Sequence, residues 1–149
     1  MLKECRDFGG NAAIFEDDVL FVDPGVIGDA VFELPADWDI LYLGANITDG
    51  VPGATERPPV RHSAHLFRIG AAWTSHAICY SERAIDWIVN DYNPDSGRMF
   101  DDYLSYMLTK FNGFITAPMA CWQRPGKSSL WDRDTDYSPC FAAGNLKLK

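Results

Sequence analysis

The sequence predicts a single α/β domain of 149 residues. Short apolar stretches of strand length alternate with stretches that have the periodicity of a helix, and this order is typical of layered α/β folds. The segment WDILYL at 38–43 is the clearest strand, because β-favouring and aromatic residues fill it and Gly44 ends it. The segment SERAIDWIVNDY repeats apolar residues at i, i+3, i+4 and i+7, which is the spacing of one helix face. No repeat, low-complexity segment or linker divides the chain, so residues 1–149 form one predicted domain.

The first half of the chain contains short elements punctuated by glycine and proline. A helix is predicted from Leu2 to Phe8, ended by two glycines, and a buried strand follows at 12–15. A second strand is predicted at 19–22. Asp23 is interpreted as the N-cap of a helix that has Pro24 at its first position and runs to about residue 34. Residues 44–61 are rich in glycine and proline, and a loop of this length is often a lid or a binding loop.

The second half contains two amphipathic helices. Ser81 is the predicted N-cap of the first, and FDDYLSYMLTKF is predicted to be helical to Phe111. TSHAICY, before the first helix, and GFITAP, after the second, are predicted strands. The histidine within TSHAICY, His76, is interpreted as a core residue.

Composition excludes several classes of function. The formal charge of −8 argues against non-specific binding of nucleic acid or anionic membranes, which requires clustered Lys and Arg, but it is compatible with a local basic pocket for one small anion. The four cysteines are far apart and contain no CxxC pair, so free thiols are predicted and a structural zinc site is not. No apolar run approaches the roughly 20 residues that a membrane span needs. The sequence predicts a cytoplasmic protein without a transmembrane segment or signal peptide.

An acidic triplet follows the first predicted strand in the segment IFEDDVLF. Side chains alternate along an extended segment, so Glu16 and Asp18 point to one side and Asp17 to the other. Two converging carboxylates repel each other unless a cation lies between them, and hard oxygen ligands suit Mg²⁺ or Mn²⁺. Ligands of open α/β sheets gather at the carboxyl ends of strands, where this triplet falls. Acids at the end of a strand are also commonly just solvated, and the triplet alone leaves both interpretations open.

Segments spread over most of the chain resemble glycosyltransferase family 25, which includes lipooligosaccharide glycosyltransferases and collagen galactosyltransferases. AAIFEDDVLF resembles the family's strand with its acidic, DxD-like metal motif, and LPADWDILYLG resembles the strand that follows. TSHAICYSERAIDWIV resembles a strand-to-helix block, FDDYLS an acidic helix start, and APMACWQRPGKSSL a late Pro, Gln and Ser pattern. The resemblance implies a GT-A-like three-layer sandwich that transfers a hexose from a nucleotide sugar, usually a UDP sugar, with Mn²⁺ or Mg²⁺. The acceptor would be a hydroxyl of a glycan or protein, as in lipopolysaccharide biosynthesis.

The resemblance also assigns roles to individual residues. Asp18 is the expected metal ligand, with Glu16 as a second, water-mediated metal contact or a ribose contact. Asp101 is the expected catalytic base for the acceptor hydroxyl, with Asp102 as its substitute, although acids in a first helical turn are also favoured by the helix dipole. The expected donor-binding residues are Glu16, Asp17, Gln123, Arg124, Lys127, Ser128 and Ser129.

The sequence departs from the family in one respect. Family members normally have further strand–helix units for the nucleotide base before the acidic motif, whereas here the motif begins at Glu16. The expectation is therefore a GT-A-like domain that lacks part of its nucleotide-binding strands. Three readings follow: a minimal enzyme, a chain completed by a partner or by homo-oligomerisation at exposed strand edges, and a non-catalytic scaffold that binds a sugar, a nucleotide or a protein. A metal-dependent phosphoester or sugar-nucleotide hydrolase is a further alternative.

Overall fold

The computed structural model describes residues 1–48, 50–128 and 133–149. The helices of this part of the chain are α1 (Leu2–Phe8), α2 (Gly25–Phe32), α3 (Glu82–Asp91), α4 (Phe100–Met107) and α5 (Ser138–Lys147), and Pro94–Ser96 forms a 3₁₀ turn. The strands are β1 (Ala12–Phe15), β2 (Val19–Phe21), β3 (Ile40–Tyr42), β4 (Val60–Arg61), β5 (Leu66–Ile69), β6 (Ala77–Tyr80), β7 (Gly113–Thr116), β8 (Cys121–Gln123), β9 (Gly126–Ser128) and β10 (Arg133–Thr135). None of these helices is long and apolar enough to cross a membrane.

Six strands form a mixed sheet in the order β1-β6-β3-β7-β5-β4. Strands β3 and β7 are parallel, and the other neighbouring pairs are antiparallel. It follows that β1, β3 and β7 run in one direction, so their last residues, Phe15, Tyr42 and Thr116, lie at the same edge of the sheet. We call this edge the carboxyl edge. The pairs β2–β8 and β9–β10 form two separate ribbons.

Apolar residues cover both faces of the sheet. Ile40 and Tyr42 belong to a large core that includes residues of α3 and α4, whereas Leu41 belongs to a second core that includes Val26 of α2. Adjacent residues of one strand thus enter different cores, as expected for a strand buried on both faces. The α/β class predicted from the sequence is confirmed.

The local signals at helix and strand ends differ in how well they predicted the structure. The predicted bounds of α1 and β1 match, and Ser81 caps α3 by accepting a hydrogen bond from the Ala84 N–H at 3.2 Å. The predicted cap at Asp23 is wrong: α2 begins at Gly25 with Pro24 as its N-cap and has no side-chain cap. The backbone N–H of Asp23 donates instead to the Ala120 carbonyl at 3.1 Å, which holds this residue against the neighbouring chain.

Other differences concern where the helices and strands end. Helix α4 ends at Met107 and not at Phe111, because the last turn tightens into hydrogen bonds from residue 109 to 106 and from 110 to 107. The predicted strands at 38–43 and 74–80 are shorter, at Ile40–Tyr42 and Ala77–Tyr80. The end of α2 is fixed by Glu33, whose carboxylate accepts hydrogen bonds from the Ser63 hydroxyl and from the backbone N–H of His65, at 2.9 Å for the latter, and contacts His65 Nδ1 at 2.8 Å.

Candidate functional site at the carboxyl edge

The acidic triplet lies where β1 ends at the carboxyl edge. The backbone N–H of Glu16 donates to the His76 carbonyl at 2.9 Å, one residue beyond the pairing of β1 with β6. Asp17 and Asp18 form the turn that follows, and the Arg124 N–H donates to the Asp18 carbonyl at 2.8 Å, beside the β2–β8 ribbon. The turn is therefore held at both ends by backbone hydrogen bonds, and its exposed middle residue is Asp17.

Glu16 is half-buried, and its carboxylate interacts with several other acids. Burial raises its pKa, and the negative charges of Asp18, Asp101 and Asp17 raise it further. A hydrogen bond from the Ser75 hydroxyl to Oε1 at 2.7 Å acts in the opposite direction. The charge of Asp101 reaches Glu16 although the two residues are far apart in sequence, so the fold brings α4 close to the triplet.

Asp18 has one satisfied and one unsatisfied carboxylate oxygen. Oδ2 accepts a hydrogen bond from Gln123 Nε2 at 2.7 Å, whereas Oδ1 is buried and has no hydrogen-bond donor in the described part of the chain. A buried oxygen without a partner costs about 1–3 kcal/mol, and more when it is charged. A bound cation or a water molecule would remove this cost.

The donor set fits a hard divalent cation that keeps part of its water shell. Within residues 1–48, 50–128 and 133–149, no group of three or more His, Cys, Asp or Glu side chains is arranged to hold a metal. Glu16 and Asp18 could supply two carboxylates, and water or substrate oxygens would supply the remaining ligands. This is the usual binding mode of Mg²⁺, which keeps several waters and takes one or two protein carboxylates.

Asp101 and Asp102 lie in the first turn of α4 and have different partners. Oδ1 of Asp101 accepts a hydrogen bond from the Asp102 N–H at 2.9 Å, and its charge acts on both Glu16 and the buried phenol of Tyr42, whose pKa it raises together with burial. Oδ1 of Asp102 accepts a hydrogen bond from the Trp73 indole at 2.8 Å. The charge of Asp101 therefore acts on the acidic triplet, whereas the carboxylate of Asp102 is hydrogen-bonded to Trp73.

The segment 73–75, which the sequence predictions assigned no functional role, connects α4 to the triplet. Trp73 exchanges two backbone hydrogen bonds of 2.9 Å with Asn46, and its indole reaches Asp102, while Ser75 reaches Glu16. Thr74 between them has a φ of 74°, a conformation that is rare for a β-branched residue and often marks a functional site. Residues 74 and 75 fall within the strand that the sequence predicts over TSHAICY, whereas the observed strand begins at Ala77. The role of this segment is therefore not recognisable from that prediction.

The residues predicted to contact the donor diphosphate are spread along the late part of the chain. Gln123 ends β8 and contacts Asp18, and Arg124 follows it with an exposed side chain. Lys127 and Ser128 lie in β9, which pairs with β10 and is separate from the main sheet. Ser129 lies outside the described residues. The structure thus brings Gln123 to the acidic triplet by a direct side-chain contact.

His76 lies in the core next to the acidic triplet, and its carbonyl accepts the hydrogen bond from the Glu16 N–H. Its side chain is 0% exposed, its ring packs edge-on against Phe141 at 5.2 Å, and the prediction of a core histidine is confirmed. Burial lowers its pKa to about 4, and the nearby Cys121 carbonyl and Asp18 charge oppose this shift only in part. Trp122 also packs towards the core, stacked on Phe141 at 5.9 Å.

No protein-family model, curated protein or solved structure matches this chain.

Proposed function

We propose that this chain is a metal-dependent glycosyltransferase of the GT-A type, which transfers a hexose from a nucleotide sugar, such as a UDP sugar, to a hydroxyl of a glycan or protein. The observation that carries the proposal is the unpartnered Oδ1 of Asp18, beside Glu16 at the carboxyl edge of an α/β sheet. The resemblance of the acidic motif and of four other segments to glycosyltransferase family 25 supports the same assignment.

In this proposal the acids divide into two roles. Asp18 and Glu16 would hold Mn²⁺ or Mg²⁺, and Gln123 orients Asp18 through its 2.7 Å hydrogen bond. When bound, such a cation would supply Lewis-acid stabilisation of negative charge on a nucleoside diphosphate. Asp101 accepts the proton of the acceptor hydroxyl, since its carboxylate acts on the triplet from the first turn of α4. The exposed side chains of Arg124 and Lys127 offer positive charge to the diphosphate.

The charge balance of the site explains the need for a cation. Glu16, Asp17, Asp18 and Asp101 interact electrostatically, and the whole chain has a formal charge of −8. A nucleotide diphosphate brings further negative charge to these carboxylates, and like charges repel. Binding of the donor is therefore expected to require the metal.

The test is calorimetric titration of a panel of nucleotide sugars into the purified protein, with and without Mn²⁺. We expect Mn²⁺-dependent binding of at least one donor, lost in Asp18→Asn, which keeps the shape of the side chain but removes its charge. Asp29→Asn is the matched control, because Asp29 is an exposed acid on α2. Circular dichroism checks that both variants remain folded. If no nucleotide sugar binds to the folded wild-type protein under either condition, the proposal is wrong for this chain.

A turnover assay then separates transfer from related functions. A glycosyltransferase releases nucleotide efficiently only when an acceptor is present, and Asp101→Asn should abolish that release while donor binding persists. Release without an acceptor would instead favour the hydrolase reading. Donor binding without any turnover, over a panel of acceptors, would favour a non-catalytic sugar- or nucleotide-binding module.

A further inference from the structure

A surface groove is lined in part by Trp73 and Asp102, the two residues joined by the hydrogen bond described above. It has a volume of about 510 Å³, within the range of small-molecule sites. We call it the arginine groove, and its lining includes Arg57, Trp73, Arg98, Asp102, Ser105 and Tyr106.

The charge of the arginine groove is opposite to that of the whole chain. Its lining has two guanidinium groups, Arg57 and Arg98, and one carboxylate, Asp102, and so has a net charge of +1 in a chain of −8. In the described part of the chain, neither arginine forms an ion pair with a carboxylate. The Asp102 carboxylate instead accepts a hydrogen bond from Trp73. Two unpaired arginines in one groove indicate a site for an anion.

Arg57 is held in place by the backbone around it. A Cβ at Gly53 would lie 2.2 Å from Arg57 Nη2, and a Cβ at Gly70 would lie 2.6 Å from the Arg57 Cβ, so two glycines make room for this side chain. Its Nη1 is buried and has no hydrogen-bond acceptor in the described part of the chain. A buried guanidinium nitrogen without an acceptor is costly, and a bound anion that reached it would offset this cost.

Arg98 is held by aromatic rings. Its guanidinium lies 4.8 Å from the centre of the Tyr106 ring and 5.8 Å from that of Tyr103, distances typical of cation–π contacts. One of its N–H groups donates to the Asp102 carbonyl at 3.1 Å. A guanidinium has five N–H donors, so others stay available for a ligand. Because the ring contacts orient this side chain before a ligand arrives, little of its freedom remains to be lost on binding.

The groove also contains a group suited to a sugar ring. Trp73 is half-buried, and its indole is fixed by the hydrogen bond to Asp102. Aromatic side chains present apolar surface to the C–H faces of sugars.

We propose that the arginine groove binds an acidic or phosphorylated saccharide, with Arg57 and Arg98 holding the anionic group and Trp73 contacting the ring. Guanidinium groups suit carboxylate and phosphate equally, because both present two oxygens to the planar fork of N–H donors. The proposal is independent of any metal at Asp18 and of sugar transfer.

The test is calorimetry in metal-free buffer with four probes: glucuronate, glucose 6-phosphate, inorganic phosphate and glucose. We expect one or both anionic sugars to bind at least tenfold more tightly than glucose and than inorganic phosphate. Binding of glucuronate alone identifies a carboxylate ligand, and binding of glucose 6-phosphate alone identifies a phosphate ligand. Equal binding of inorganic phosphate and glucose 6-phosphate overturns the saccharide part of the proposal, and binding of neither anionic sugar overturns the whole.

Variants locate the binding site. Arg98→Gln should weaken binding at least tenfold, and it alters an exposed side chain, so the fold should persist. Arg57→Gln tests the second guanidinium, and circular dichroism checks its folding. Arg6→Gln is the matched control, because it removes the same charge from an exposed position on α1. Equal weakening by Arg6→Gln and Arg98→Gln would overturn the proposal, because it would indicate a general charge effect. Asp18→Asn should retain full binding, so failure here is distinguishable from failure of the proposed transferase.

Discussion

Replacement of His76 by leucine should reduce the loss of unfolding free energy that the protein shows when the pH falls from 7 to 5. The side chain is fully enclosed, and neither ring nitrogen has a hydrogen-bond partner in the described part of the chain. Burial disfavours the protonated ring and lowers the His76 pKa from 6.5 to about 4. In the unfolded chain the ring is solvated and titrates near 6.5.

The sign and size of the effect follow from proton linkage. Between pH 6.5 and 4 the unfolded chain binds a proton at His76 and the folded chain does not, so acidification favours unfolding. The contribution of the neutral ring is fully present above pH 6.5 and is lost as the pH falls to 4. A pKa difference of about 2.5, at about 1.4 kcal/mol for each unit, amounts to about 3 kcal/mol in full and to about 2 kcal/mol at pH 5.

Urea unfolding of wild type and His76→Leu at pH 7 and pH 5 measures this difference. The quantity of interest is the change in unfolding free energy between the two pH values, because other titrating groups contribute equally to both proteins. We expect the wild type to lose about 2 kcal/mol more than the variant over this interval. His62→Leu is the control, since His62 is exposed and its removal should leave the wild-type profile unchanged. Identical pH profiles for wild type and His76→Leu would refute the assignment of a buried neutral histidine.

Three further comparisons of variants test the packing and the acid response of the fold. Hydrogen bonds to Glu33 lower its pKa from 4.5 to about 2, so its contribution to stability is complete above pH 4.5 and is lost as the pH falls towards 2. Glu33→Gln should therefore make the free energy of unfolding depend less on pH between 4.5 and 2, and only there. Gly44→Ala should destabilise by about 3 kcal/mol or more in thermal unfolding, because its Cβ would lie 1.7 Å from the Cys121 carbonyl oxygen, whereas Gly28→Ala meets no atom within 4 Å and should be tolerated. Thr74→Gly should stabilise by about 1 kcal/mol relative to Thr74→Ala, since only glycine adopts its positive φ without strain, and equal stability of these two variants would contradict the strain.

Local sequence signals predicted the elements whose ends depend on single residues. Two glycines end α1, and the Ser81 hydroxyl caps α3, so both could be recognised without knowledge of the fold. Helix α5 has a local start signal in Pro139 of its first turn, but it also contains Gly144 in its interior, and glycine there is unfavourable for a helix. The fold explains the exception, because a Cβ at Gly144 would lie 2.7 Å from the Met119 methyl group. The close contact with Met119 therefore explains why glycine occupies position 144 although glycine is unfavourable within a helix.

The candidate site was predictable to the extent that it follows one strand. Glu16 and Asp18 follow a predicted strand and are separated by one residue, so the sequence predicts carboxylates close together. Strand alternation does not place them on one side, however, because the strand ends at Phe15 and Asp17 and Asp18 form a turn. The contact between Glu16 and Ser75 could not be predicted this way, because it depends on where β6 begins. The pairing of Trp73 with Asn46 is likewise an isolated bridge outside the named strands, and neither residue belongs to a periodic pattern. Both contacts join residues that are far apart in the sequence, so they depend on how the strands are arranged in the sheet.

The first turn of α4 connects the acidic triplet with the arginine groove. Successive residues of an α-helix point about 100° apart, so adjacent acids in one turn can face two different surfaces. Asp101 acts on Glu16, while Asp102 reaches Trp73 in the lining of the groove. Arg98 contacts the Asp102 carbonyl at 3.1 Å, so a saccharide held by Arg98 would lie near the residue that follows the carboxylate proposed to accept a proton. The two sites also have opposite charge: the carboxylates of the triplet are negative, whereas the lining of the groove has a net charge of +1 and its one carboxylate, Asp102, accepts a hydrogen bond from Trp73 and forms no ion pair in the described part of the chain.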